Sequence, residues 1–423
     1  MNDSAAKIAE GSHGQRPGLE LTLGVEEEYH LVDLGTRRLV ARAPELLTNL
    51  PAGGYAAELQ RCVVESNTEV VSDLDALRWG LTKLRRGIVD AAERLGIGVV
   101  SAGTVPLSLP AELDVTESPR YRRMLADYQL LAREQLICGL QVHVGVTDRD
   151  LAVAVSGRIE PYLPMLLALT ASSPFWSGGS DTGYASVRSL LWQRWPTSGQ
   201  AGPIRNAAEY DELVDNLVAT GVITDPGMVY FDTRPSAHLP TLELRVCDAT
   251  PLVDDAVLVA GLFRALVLRE ARAQLDGVAA AHRSGPMHRA AMWRAARSGM
   301  EGDLLDFPLC RPVPATVLVG RTVEGLRAEL EALGDWDQIQ HLTEMACCRD
   351  GSAVRQRRAL GRRGRLHDVV DLLLAETRSG GTGSQASRSS LTRPPRPGLS
   401  RGSERPGKPS AALSPQGPTT TPM

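Results

Sequence analysis

The chain has 423 residues, 43% of them hydrophobic, and a formal net charge of −4. That length and apolar content supply a sizeable core, and the near-neutral balance gives no bulk case for a nucleic-acid partner. No uninterrupted apolar run reaches the ~18 residues of a membrane helix, and the six cysteines are scattered without a C-x-x-C pair, so a zinc site or disulfide framework is not expected.

The N-terminal stretch, residues 1–18, is polar, lacks a signal-type apolar segment and is expected to be disordered. Leu21–His30 alternates and reads as a strand, and Arg61–Val71 reads as a second. Ser72 and Asp75 predict a capping box, followed by Leu77, Leu81, Leu84 and Ile88 at helical spacing and by Gly96 as a stop. Ile97–Gly103 is a short apolar strand, and Ser118-Pro119 opens another helix, because proline lacks only an N–H that the first turn leaves unpaired. Leu136–Val146 is a strand. Asp150–Leu169 is helical, with Pro161 and Pro164 set to kink or break it. Ser177–Gly183 is glycine-rich but lacks the lysine and preceding strand of a phosphate loop, so it reads as a turn. Thr241–Asp248 is a strand, and Asp254–Leu374 is largely helical. Ser379–Met423, rich in Ser, Pro, Gly, Thr and Arg, carries five Arg and one Lys against Glu404 alone and is expected to be a disordered basic tail. Residues 19–378 then form one unit. Strands separated by helices without a regular βαβ cadence predict an α+β fold with helices on one side of a sheet.

Charge interrupts these strands in a pattern. Side chains alternate between faces, so Glu26 and Glu28 share a face while Glu27 points away. Two carboxylates on one strand face, ~6–7 Å apart, repel and call for a cation. Glu65, Asn67 and Glu69 share a face, as do Gln141 and His143, and Glu243 and Arg245, each set opposite apolar neighbours. An antiparallel sheet with one wet face would carry mixed Lys, Thr, Ser and Glu there. Here the outward set is mostly Glu, with no Lys, which favours metal binding by Glu26, Glu28, Glu65, His143 and Glu243. Carboxylates with one imidazole suit a hard cation such as Mg²⁺ or Mn²⁺, and an adjacent Arg245 suits a transferred phosphoryl group. The residues alone thus reach metal-dependent phosphoryl chemistry on an open sheet. A metal-dependent hydrolase and a non-catalytic metal- or nucleotide-binding protein stand as alternatives.

The ordered stretches TLGVEEEYH (22–30), VVESNTEV (63–70), CGLQVHVGV (138–146), SPFWSGGSDTGYASVR (173–188), FDTRPSAHLPTLELRVCDATP (231–251) and RSGMEG, at the end of 293–302, resemble the carboxylate–amine ligase family. That family, also called glutamate–cysteine ligase type 2, belongs to the glutamine synthetase/glutamate–cysteine ligase superfamily. The resemblance spans most of residues 20–370 and neither tail. It implies a largely antiparallel sheet forming an open funnel with helices on its outer face, as in the glutamine synthetase catalytic domain. It further implies metal ligation by Glu26, Glu28, Glu65, His143 and Glu243, a phosphate-facing catalytic Arg245, and substrate or phosphate contacts from Arg188, Arg234 and Arg297. The implied reaction uses ATP and Mg²⁺, with Mn²⁺ as the alternative ion, to join glutamate to cysteine through an acyl phosphate, with the same chemistry on a different carboxylate–amine pair as the alternative. Implied partners are these small molecules, with no nucleic acid or membrane and with a homo-oligomer allowed, in a reducing cytoplasm. One departure stands out: the family's H-V-H-V is Q-V-H-V here, with Gln141 in place of the first histidine.

Overall fold

The computed structural model describes residues 19–107, 109, 114–280 and 284–379. The expectations for residues 1–18 and for the tail from 380 onward lie outside these residues; Ser379 closes the last described helix. In chain order the strands are β1 (Leu19–Asp33), β2 (Tyr55–Ala57), β3 (Val63–Asn67), β4 (Ile97–Val100), β5 (Gly139–Val146), β6 (Phe175–Trp176), β7 (Ser180–Asp181), β8 (Thr233–Pro235), β9 (Thr241–Asp248), β10 (Asp303–Asp306) and β11 (Arg311–Pro314). The main sheet runs β2-β3-β1-β5-β9-β8, with β4 paired to the far end of β1. Every pairing in it is antiparallel, and the sheet does not close on itself.

One face of this sheet is the core. Leu23, Val25, Val142, Val144, Leu242 and Leu244 lie there fully or almost fully buried, under helices Leu74–Arg94, Arg149–Ile159, Leu163–Thr170 and Val253–Leu275. Their alternation with polar neighbours makes each strand two-sided and leaves the opposite face free to carry charge. Glu27, on the apolar side, is matched there by Arg85, whose Nη2 lies 2.5 Å from Glu27 Oε1 and whose remaining N–H groups reach the Thr250 and Pro251 carbonyls. A buried charge pair so fully hydrogen-bonded ties β1 to the chain leaving β9.

Several local expectations change. The helix after β3 is capped by Asp73, not by a Ser72–Asp75 box: Asp73 Oδ1 accepts the Ala76 N–H at 2.8 Å. The Ser72 carbonyl instead accepts from Arg264. The helix ends as read, before Gly96 with φ +69°, where a side chain would be strained. The second strand stops at Asn67, because Thr68 turns back and its Oγ1 accepts the Val25 N–H, leaving only an isolated bridge between Leu23 and Val71. Pro161 interrupts its helix with a 3₁₀ turn at Glu160–Tyr162. The stretch Arg149–Thr170 is nonetheless long and apolar enough to cross a membrane, a match the sequence reading did not make, and 67% of its apolar window is buried inside the protein. The helical C-terminal part is interrupted by the β10–β11 hairpin. Ser177–Gly183 is the turn and flank of the β6–β7 hairpin. All six cysteines are unpaired.

Candidate active site

The register places the polar residues side by side. Glu26 is opposite Asn67 on one flank and Gln141 on the other; Glu28 is opposite Glu65; His143 is opposite Glu243; and Glu243 is opposite Arg234. A bulge in the β5–β9 pairing falls between Leu140 and Val142, around Gln141 and Arg245. Bulges of this kind re-aim a side chain next to a site.

Two acidic clusters result. In the first, Glu26, His143 and Glu243 bring ligand atoms within 4.8 Å of one another. His143 Nε2 stands 3.2 Å from Glu26 Oε1. In the second, Glu28 and Glu65 meet Glu58 within the same limit. All five ligands expected from the sequence therefore converge on one face, divided between two groups. Glu58 is an addition. It follows β2 in irregular chain, its Oε2 accepting the Leu59 N–H at 3.0 Å, where no periodicity marks it.

The second cluster is electrostatically costly as it stands. Burial and the Glu58 charge raise Glu28 to about 7, while Arg188, the Gly139 N–H and Gln141 oppose the rise. Burial, Glu58 and Glu26 raise Glu65 to about 9. Glu58 is also raised, chiefly by burial. Three carboxylates with so few donors among them form an oxygen-only set fit for a hard cation. The first cluster fits too: buried His143 Nε2 has no hydrogen-bond partner among the described residues and lies between two carboxylates.

The arginines divide by role. Arg245 pairs with Glu243, and its guanidinium stacks 5.7 Å from the Trp192 ring and 5.9 Å from Tyr230. Burial raises Glu243, but Arg245 and Arg234 outweigh it and hold this carboxyl below its usual range. Arg234 Nε lies 3.1 Å from Glu243 Oε2. Arg188 is 2% exposed and bonds through Nη1 and Nη2 to the Val246 and Arg245 carbonyls. It braces the bulge from the polar face, close enough for its charge to act on Glu28 and with its guanidinium 5.6 Å from the Trp192 ring. Its guanidinium fills the space where a Cβ on residue 139 would stand, 2.3 Å from Nη2, which is why that position is glycine. Arg297 is exposed and stacks 5.7 Å from the Tyr184 ring; it does not line the cleft over the carboxylates.

That cleft, about 160 Å³, is lined by Glu26, Glu28, Glu58, Glu65, Gln141 and Arg245 together with Leu59, Met124, Trp192, Trp195 and Tyr230. A larger cavity of about 720 Å³ around Gln200, Asp232 and His288 contains none of the six clustered residues, so the chemistry points to the smaller one. The aromatic wall escaped the sequence reading, because only tertiary packing brings Tyr230 against Trp192 and Trp195. Gln141 lines the cleft, and its Nε2 donates to Glu28 Oε1 at 3.3 Å.

Comparison with known proteins gives a consistent result. The family described as glutamate-cysteine ligase family 2 matches residues 22–371. A Rhodococcus jostii protein, named as a candidate glutamate–cysteine ligase 2-3, is 61% identical over 355 residues, covering 84% of this chain and 45% of that protein. A Mycolicibacterium smegmatis protein, named as a candidate glutamate–cysteine ligase 2-2, is 60% identical over 356 residues, covering 84% and 90%. The chain thus spans about half the length of some curated relatives and most of others. Among solved structures, a glutamate–cysteine ligase from Francisella tularensis in complex with AMP superposes with a TM-score of 0.65 at 10% identity, over 86% of this chain and 90% of that one. A bifunctional glutathione synthetase from Pasteurella multocida gives 0.62 at 15% identity, over 85% and 52%. At these identities the likeness is one of fold.

Proposed function

The chain belongs to glutamate-cysteine ligase family 2, and on that premise we propose that it is an ATP-dependent carboxylate–amine ligase, with glutamate and cysteine the leading substrates. The observation that carries this reading is the pair of acidic clusters on one sheet face with Arg245 beside them. Glu26, His143 and Glu243 would hold one divalent ion, and Glu28, Glu58 and Glu65 a second, with Mg²⁺ the leading candidate. Bound there, such ions supply charge neutralisation to a triphosphate.

ATP is a substrate in this scheme. The carboxylate takes its γ-phosphoryl group, giving an acyl phosphate and ADP, and the amine then displaces phosphate. Arg245 is anchored by Glu243 and by two aromatic faces, so its charge is positioned in advance of the developing negative charge and needs no reorganisation. Arg234 shares Glu243 and so keeps that carboxylate ionised and fixed. Trp192, Trp195 and Tyr230 give the cleft apolar lining beside the carboxylates, which limits the water next to an acyl phosphate before the amine arrives. No side-chain nucleophile is needed, so the buried Cys62, Cys138 and Cys247 stay outside the chemistry. A reducing cytoplasm is the proposed location.

The test is ADP release from ATP with Mg²⁺, glutamate and a panel of amines. Turnover that requires an amine, highest with cysteine, is expected. Turnover with a different amine would keep the reaction and change the substrate, whereas nucleotide binding without turnover across the panel would overturn the ligase reading.

A further inference from the structure

The His143 ring has only one hydrogen bond among the described residues, from Nδ1 to Thr241 Oγ1 at 2.9 Å. Its other nitrogen, Nε2, is buried, lies 3.2 Å from Glu26 Oε1 and is outside hydrogen-bonding geometry with it. A neutral imidazole carries one proton, and the side that bears it decides which nitrogen keeps a lone pair. The acceptor suitably placed for that proton is the Thr241 hydroxyl oxygen. We infer that Thr241 is a positioning residue: by accepting the Nδ1 proton of His143 it leaves the Nε2 lone pair facing Glu26 and Glu243, and so makes that cluster, but not the Glu28–Glu58–Glu65 cluster, dependent on a single hydroxyl.

The hydroxyl is well held. Thr241 begins β9, two residues before Glu243 and on the same face. Its N–H donates to the Leu239 carbonyl at 2.8 Å, and its own carbonyl accepts the Ser236 N–H at 2.9 Å. A β-branched side chain on a backbone fixed at both ends has few rotamers to choose from, so Oγ1 stays where the ring needs it. The reverse arrangement, with Thr241 donating to Nδ1, would put a proton on Nε2, in the gap a cation is to occupy. The partner of a ligating histidine's second nitrogen commonly decides its tautomer and ring orientation, at a cost of about 10–100-fold in affinity when removed.

This inference rests on the proposed cation role of the first cluster, and the experiment separates the two. Mn²⁺ binding to the full chain is titrated without nucleotide by electron paramagnetic resonance, and the His143 tautomer is read from ring ¹⁵N shifts in the cation-free protein. Two sites and an Nδ1-protonated ring are expected in the wild type. Thr241→Val is expected to weaken one site about 10–100-fold and leave the other unchanged, with Thr241→Ser restoring it. Equal binding at both sites in a folded Thr241→Val protein overturns the inference, as does an Nε2-protonated ring in the wild type, which decides the matter even if the valine variant does not fold. A wild type that binds no Mn²⁺ but keeps the Nδ1–H tautomer overturns the proposed cation role and leaves the orientation of His143 standing.

Discussion

Glu28 and Glu65 face each other in register across β1 and β3, a carboxylate directly opposite a carboxylate, with Glu58 closing the third side. Like charges directly opposite across two strands destabilise the pair. The folded protein compensates by holding protons: burial and Glu58 raise Glu28 to about 7, and burial, Glu58 and Glu26 raise Glu65 to about 9, from an ordinary value of 4.5. The unfolded chain releases those protons near 4.5. Their stabilising effect is therefore complete below that value and is lost as the pH rises through 7 and then 9. Thermal melts of cation-free protein are expected to show a midpoint that falls over this window, a trend that Glu65→Gln flattens. Saturating Mg²⁺ should raise the midpoint far more near pH 8 than near pH 5; an equal gain at both would contradict the carboxylate assignment.

Arg245→Ala is expected to lower turnover by about 10²–10³-fold, the usual cost of removing one charge-stabilising group from a reacting centre. Folding should change little, because Glu243 keeps Arg234 as its partner. Arg245→Lys should recover only part of the loss, since an ammonium lacks the planar face that lies over Trp192 and Tyr230. The measurement is ADP release alongside a melting curve, and near-wild-type rates in the alanine variant would remove Arg245 from the chemistry.

Gly139→Ala tests the packing of Arg188 against β5. A methyl there would stand 2.3 Å from Arg188 Nη2, inside contact distance, so either the guanidinium leaves the Val246 and Arg245 carbonyls or the strand shifts. Gly139 also donates its N–H to Glu28 Oε2 at 2.5 Å, and the Arg188 charge acts on the same carboxylate, so either movement reaches the second cluster. A loss of about 1–3 kcal/mol in urea unfolding is expected, the usual cost of overpacking. Adding Arg188→Ala should relieve the clash, and strictly additive losses would show that the two groups do not meet.

These relationships were unevenly legible in the amino-acid sequence. Strand alternation is local, so the sharing of a face by Glu26 and Glu28, or by Glu243 and Arg245, follows from spacing alone. Which strand lies beside which is not local, and neither the Glu28–Glu65 opposition nor the division into two clusters could be read from any one segment. Glu58 escaped because it sits in irregular chain after a three-residue strand. The bonds from Arg188 to the backbone carbonyls of the β9 bulge were equally out of reach, because they join segments 57 and 58 residues apart. Asp73 displaced Ser72 as helix cap because both residue types cap well and are adjacent, a choice decided by where the chain leaves Val71.

Gln141 supplies the last prediction. Its Nε2 donates to Glu28, while its Oε1 is buried without a partner and lies beside the cleft. Because the variant keeps every carboxylate and the imidazole of both clusters, Gln141→Leu should leave the number of bound Mn²⁺ ions unchanged. It removes a donor from a carboxylate, an interaction worth about 1.5 kcal/mol or more, so kcat/KM should fall about tenfold. Gln141→His offers a ring N–H at the same register position and should retain more activity than leucine. Loss of a bound ion in the leucine variant would instead make Gln141 a ligand.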